Sequence, residues 1–177
     1  KDVLGKKKVP GDALFGIHTQ RSREVFQVSG TPLPRALWYA IAEIKIAAAR
    51  ANERLGVLER RKSRVIQRAA GELLKGKFDE FLCVDAFQAG AGTSTHMNVN
   101  EVLANRGLEL LGKPKGSYGV LHPNDDVNRG QSTNDVFPSA MRVACMRVVR
   151  ELVGVLGELR VALMKKSREF GSVIKSG

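Results

Sequence analysis

The stretch His122-Pro-Asn-Asp-Asp-Val-Asn-Arg-Gly-Gln-Ser132-Thr133-Asn134-Asp135, followed by Val136-Phe-Pro-Ser139, decides how this chain is read. It is almost free of apolar side chains, yet strongly patterned helical sequence flanks it. Ser132, Thr133 and Asn134 place two hydroxyls and an amide in a row, and such a run can donate several neutral hydrogen bonds to one anionic group. The plainer reading is a polar loop closing in a helix cap, because Ser, Thr, Asn and Asp favour such positions.

Upstream, Gly90-Ala-Gly92-Thr93-Ser94-Thr95-His96-Met97-Asn98-Val-Asn100-Glu101-Val-Leu-Ala-Asn105-Arg106 is a second polar, Gly-led run that opens a helix. The two runs together resemble the fumarase/aspartase superfamily. The first family signature reads close to Gly-Ser/Ala-Gly-Thr-Ser-x-Asn-Met-Asn-x-Asn-Glu-Val-x-Ala-Asn. The second reads His-Pro-Asn-Asp-x-Val-Asn-x-Ser/Gly-Gln-Ser-Ser/Thr-Asn-Asp-x-Phe/Tyr-Pro. Both occur here in the family's order and spacing. Val9-Pro-Gly-Asp12-Ala-Leu-Phe15-Gly16-Ile-His18-Thr19-Gln20-Arg21 resembles the family's N-terminal Pro-x-Asp-Ala-x-aromatic-Gly-x-His/Gln-Thr-x-Arg. The resemblance thus covers nearly the whole chain.

Composition narrows the classes. The 177 residues suit one domain or one large fragment, and 43% hydrophobic residues support an ordinary core. A formal net charge of +11 can attract nucleic acid, an anionic membrane or small anionic substrates. The basic residues are dispersed, however, and Lys6-Lys7-Lys8 and Arg60-Arg61-Lys62 are the only runs of three. Short runs of that kind are usually solvated faces, and the aromatic residues form no RNA-binding pattern. Cys83 and Cys145 fit no metal or redox spacing and read as reduced core residues of a cytoplasmic protein. No apolar run reaches membrane-spanning length. No metal-ligand spacing appears, and neither metal nor organic cofactor is expected.

Along the chain, residues 1 to 30 read as an extended arm with turns. Leu37, Ile41, Ile44, Ala48, Ala51 and Leu55 recur at helical steps and predict a helix from Leu33 to Leu55 that stops at Gly56. A second helix is predicted from Glu59 to Leu74, ended by Gly76. Residues 78 to 88 are readable either as helix or as extended chain. Thr93, Ser94 or Thr95 is expected to cap the next helix, whose face is Val99, Val102, Leu103, Leu108 and Leu111. The longest pattern runs from Met141 through Cys145, Val148, Leu152, Leu156, Leu159, Leu163 and Phe170 to Ile174. Unbroken, it is roughly 50 Å long, too long to bury its stripe in a small domain. It calls for partner helices or a homo-oligomer.

The fold class expected is therefore mainly α. Residues 1–138 are expected to form an N-terminal lyase domain of short helices with an extended arm. Residues 139–177 are expected to begin the first long helix of a central helical bundle. The resemblance implies a homotetramer with active sites shared between subunits. It also implies a Gly-Ser-Ser loop carrying the serine base beyond Gly177, so this chain looks like the N-terminal part of a longer enzyme, holds no catalytic base of its own and is expected to be inactive alone.

By the same resemblance, Thr93, Ser132, Thr133 and Asn134 bind a small dicarboxylate substrate. His18, Arg21 and Asn98 are near-site candidates. His122, Asn124 and Asp125 correspond to a second dicarboxylate site of fumarases. His96 stands where both fumarases and aspartases carry Asn. Gln131-Ser132-Thr133-Asn134-Asp135 matches the aspartase form, whereas His122-Pro-Asn124-Asp125 leans toward fumarase. The balance of motifs favours aspartate ammonia-lyase, with class II fumarase and a catalytically inert lyase-derived scaffold as alternatives. In the aspartase reaction a base takes a proton beside the β-carboxylate, and preorganised donors stabilise the doubly charged aci-carboxylate. Neither nucleic acid nor membrane is an expected partner.

Overall fold

A computed structural model describes residues 2–174 and Ser176. The described residues form α1 (Ile17–Val25), α2 (Arg35–Arg54), α3 (Arg60–Leu73), α4 (Thr93–Leu110) and α5 (Thr133–Glu169). A 3-10 turn at Asp79–Phe81 precedes α4, and a π-helical turn at Pro123–Val127 precedes α5. Pairing of β type is confined, among these residues, to the bridges Asp2–Gly5 and Pro32–Asp85. The mainly α class expected from sequence is the class observed. Lys175 and Gly177, within the predicted second segment, lie outside the described residues.

Helices α2, α3 and α4 pack into a layer around Ile41, Ile66, Leu73, Val99, Leu103 and Leu108, all fully buried. Gly56 and Gly76 stop α2 and α3 as predicted; φ of +70° and +78° is a left-handed conformation that glycine adopts without steric cost. The buried stripe of α2 is rotated from the predicted one. Leu37, Ile41, Lys45 and Ala49 face inward at four-residue steps, while Ala51 and Leu55 are exposed. Lys45 therefore enters the core.

The arm is not extended throughout. Residues 17–25 form α1, although Ile17 is its only buried apolar residue. Local amphipathicity cannot hold this helix; a distant carboxylate does. Glu101 of α4 is fully buried and accepts from the amides of Gly16 (2.9 Å), His18 (2.9 Å) and Thr19 (3.0 Å) and from the Thr19 hydroxyl (2.7 Å). Those amides are the N-terminal donors that a helix leaves unpaired, where negative charge is favoured. At Gly16 a Cβ would lie 2.5 Å from the Tyr118 hydroxyl and 2.6 Å from Glu101 Oε1, so the close approach requires glycine.

Residues 78–88 resolve into the 3-10 turn and an extended run. Asp85 fastens that run by accepting from the Ser29 amide and hydroxyl and from the Gly30 and Phe87 amides, at 2.8–2.9 Å. The capping of α4 also differs from expectation. None of Thr93, Ser94 and Thr95 caps from within; Gly92 precedes the helix at φ +85°. The Gln88 side chain instead accepts the Thr95 amide at 2.7 Å. The turn before α4 thus folds back and supplies the cap from outside.

Helix α5 spans 37 residues, about 55 Å. Val136, Ala140 and Ala144 bury its first turns against α2 and α4. Beyond Ala144 the apolar stripe has no cover among the described residues, and Leu152, Leu156 and Leu159 are half-exposed. Cys145 is exposed and Cys83 half-buried, so neither is the core residue expected. Cys145 lies on the stripe that this chain leaves open.

Two outcomes test these anchors. Glu101→Gln turns one acceptor into a donor facing donors. It is expected to cost at least about 2 kcal/mol in denaturant melts and to speed amide exchange across residues 17–25. At Asp85, burial pushes the carboxyl up, but the donors from Phe87, Ser29 and Gly30 outweigh it and hold it down at about 2. A depressed carboxyl stabilises the fold above its ordinary value of 3.8, and that contribution is lost as pH falls toward about 2. The melting gap between wild type and Asp85→Asn should be full at neutral pH and close over that window. A gap independent of pH would show that the charge is not what fastens the segment.

Candidate active site

The polar run before α5 is both a cap and an open row of donors. Ser132 is the N-cap of α5, and its Oγ accepts the Asn134 amide at 3.2 Å. That bond uses a lone pair and leaves the hydroxyl proton free. Ser132 and Asn134 are exposed, and the Asn134 side chain has no partner among the described residues. Thr133, at the first helical position, is half-buried and faces the protein.

Thr133 meets α4 there. Its Oγ1 lies 2.8 Å from His96 Nδ1, one turn into α4. The other imidazole nitrogen, Nε2, lies 2.5 Å from Lys45 Nζ. Lys45 also reaches Asn128 Oδ1 at 2.8 Å and Gln131 Oε1 at 2.9 Å. Both amides are oriented by their own bonds. Asn128 Nδ2 donates to the Gln131 carbonyl, and Gln131 Nε2 to the carbonyls of Val127 and Arg129. Each therefore turns its oxygen to Lys45. The two amide oxygens accept from Lys45, and with the imidazole proton on Nδ1 His96 Nε2 supplies the third acceptor that an ammonium requires.

Burial pushes Lys45 well below the ordinary lysine value, and the amide oxygens of Asn128 and Gln131 oppose that push. Burial, and then the Lys45 charge, bring His96 down to about 3, so the imidazole is neutral near pH 7. Gly92 shows how closely the same two helix ends approach, since a Cβ there would run into the Phe137 ring. The N-termini of α4 and α5 thus meet above the buried Lys45 side chain. Helix N-termini carry partial positive charge and free N–H groups, and such a junction suits an anion.

The other sequence-predicted residues lie as follows. Thr93 is exposed at the first position of α4, three residues before His96. The His18 side chain is exposed, and its amide serves Glu101. Arg21 makes a two-pronged pair with Asp2 at 2.8 and 2.9 Å. Asn98 is buried, donating to the Phe81 carbonyl and accepting the Cys83 amide. These bonds tie the 3-10 turn to α4. His122 Nδ1 accepts from the amides of Asn124 (3.2 Å) and Asp125 (3.0 Å), so the three residues form one turn. That turn borders an open cleft of about 620 Å³ lined by Asn124, Asp125, Asn128, Arg129, Gly130, Gln131 and Ser132. No group of three His, Cys, Asp or Glu side chains converges among the described residues. No helix there is long and apolar enough to cross a membrane.

Lys45, Asn128, Gln131 and Glu101 were not singled out from sequence. For Lys45 the signal existed, because it continues the four-residue line Leu37-Ile41, but a lysine on such a line ordinarily reads as exposed. His96 lacked a sequence-adjacent partner because its partners lie 51 and 37 residues away.

This architecture is the fumarate lyase fold. Over the whole chain it is similar to the crystal structure of fumarate lyase:delta crystallin from Brucella melitensis, with a TM-score of 0.94 and 47% identity, covering 42% of that chain. Residues 5–177 match the Lyase family, and the chain belongs to it, within the superfamily of fumarases and aspartases. It is 46% identical to fumarate hydratase class II 1 of Pseudomonas aeruginosa over 99% of its length. It is 42% identical to aspartate ammonia-lyase of a Bacillus species over 100% of its length. It spans 38% of the length of each of those two relatives.

Proposed function

We propose that this chain forms the dicarboxylate-binding N-terminal part of a class II fumarate hydratase, acting on fumarate and malate. The observation that carries the reading is the junction of α4 and α5. Ser132, Thr133 and Asn134 stand at a helix N-terminus fastened through His96 to a buried lysine. The similarity to a class II fumarate hydratase supports hydration over the ammonia elimination that the motifs favoured. In the dehydration direction, a base removes a proton from the carbon beside one carboxylate of malate. The carboxylate gains a second negative charge, and hydroxide leaves from the neighbouring carbon. Neutral donors already aimed at those oxygens stabilise the charge as it forms. The donors of this chain are Thr93, Ser132, Thr133 and Asn134; the base belongs to another part of the enzyme.

Aspartate ammonia-lyase is the second reading. Thr133 after Ser132 favours it, as does the similarity to the Bacillus aspartate ammonia-lyase. The open stripe of α5 supports burial against helices of a homotetramer, and the enzyme is proposed to be cytoplasmic. The boundary proposed at 138/139 falls inside α5, and burial on this chain ends more than a turn later, at Ala144.

In the full-length enzyme carrying this segment, kcat/KM should be larger for malate than for aspartate. The reverse order selects the ammonia-lyase. Ser132→Ala and Asn134→Ala should each lower kcat/KM by about a hundredfold or more, the loss typical of one such donor. Their stabilities should differ. Ser132→Ala removes the cap of α5 and costs about 0.5–2 kcal/mol, whereas Asn134→Ala removes no bond of the fold. Lowered melting with unchanged kinetics in Ser132→Ala would reduce that residue to a cap.

A further inference from the structure

We propose that His96 is a positioning residue that holds the Thr133 hydroxyl as a hydrogen-bond donor toward the bound dicarboxylate. The inference rests on the reading of Thr133 as a substrate-binding residue. The imidazole is gripped at both nitrogens, by Lys45 Nζ on Nε2 and by Thr133 Oγ1 on Nδ1. In this arrangement Lys45 is the ammonium that Asn128 and Gln131 favour; it has no lone pair and can only donate, so Nε2 accepts. A neutral imidazole has one N–H, which must then sit on Nδ1. That N–H donates to Thr133 Oγ1. A hydroxyl that accepts in this way cannot point its own proton back along the same line. The Thr133 proton is therefore turned off the imidazole and is available to an anion at the helix junction. The low proton affinity of buried His96 keeps this arrangement through the neutral range.

The buried lysine thus acts at a distance. It sets the tautomer of His96, and the tautomer sets the sense of the Thr133 hydrogen bond. Asn128 and Gln131 hold Lys45 in place, and both belong to the loop that leads into Thr133.

Side-chain geometry supplies a test with opposed outcomes. The amide nitrogen of Asn lies as many bonds from Cβ as Nδ1 does, and the amide oxygen of Gln as many as Nε2. In the full-length enzyme, His96→Asn can keep the donor to Thr133 but loses the acceptor for Lys45. His96→Gln keeps the acceptor for Lys45 and loses the donor to Thr133. Melting temperature should fall further in His96→Asn. With malate as substrate, kcat/KM should fall further in His96→Gln, by about tenfold, the scale of one hydrogen bond to a charged group. His96→Asn should recover most of that loss.

In the Thr133→Ala background, His96→Gln should cost nothing more, because it acts through the missing hydroxyl. All variants are assayed below their melting transitions. Activity and stability falling in the same order, or His96→Gln adding its full loss to that of Thr133→Ala, overturns the proposal. Thr133→Ala at wild-type kcat/KM overturns instead the substrate-binding reading beneath it. A Thr133→Ala deficit with His96→Gln at wild-type activity overturns the positioning role alone.

Discussion

A lysine with its side-chain nitrogen fully out of water is the constraint on which this architecture turns. A cation in the interior is tolerated only where its donors are met. Lys45 is met by three side chains, one from α4 and two from the loop before α5. That need brings α2, α4 and the start of α5 to one point. The loop cannot move off without leaving the buried Lys45 nitrogen short of partners, and α5 cannot begin elsewhere without giving up the His96–Thr133 contact. The polar run at residues 128–134 is held from within, while Ser132 and Asn134 remain open to solvent. The proposed dicarboxylate site stands on a buried lysine and two helix N-termini, with its outer donors unspent.

Glu101, in the middle of α4, is the counterpart. A buried carboxylate collects the N-terminal amides of α1 and so folds a stretch that has little helical pattern of its own. The two buried charges on neighbouring helices have different tasks. Lys45 gathers side-chain oxygens around a site, whereas Glu101 gathers backbone N–H groups around a fold junction. Arg21 and Asn98, both near-site candidates by motif, spend their polar atoms on Asp2 and on the 3-10 turn.

Helices α2, α3, α4 and α5 were legible in the sequence because their apolar residues recur at helical spacing and glycines close two of them. The rest was hidden for physical reasons. Helix α1 depends on a carboxylate more than 80 residues away, which no local window contains. The inward turn of Lys45 depends on partners 51 to 86 residues further along the chain. The cap of α4 comes from Gln88, outside the helix, so the hydroxyl residues inside it misled. Within the site, the motifs picked out Ser132, Thr133 and Asn134, and the structure puts them at the α5 N-terminus. The motifs also carried an ammonia-lyase emphasis that the similarity to a fumarate hydratase does not support. A single Ser-or-Thr position decides little between two such similar runs. The exposed stripe of α5 was legible as a demand for partners that this chain does not meet.

The most direct measurement is a crystal structure of the full-length enzyme with a bound dicarboxylate. The account requires one carboxylate at the junction of the α4 and α5 N-termini, within hydrogen-bond distance of Thr133 Oγ1 and Ser132 Oγ, with His96 still bridging Thr133 to Lys45. A dicarboxylate bound only at the His122-Asn124-Asp125 turn, or one that leaves Thr133 untouched with the Lys45–His96 contact broken, would contradict it.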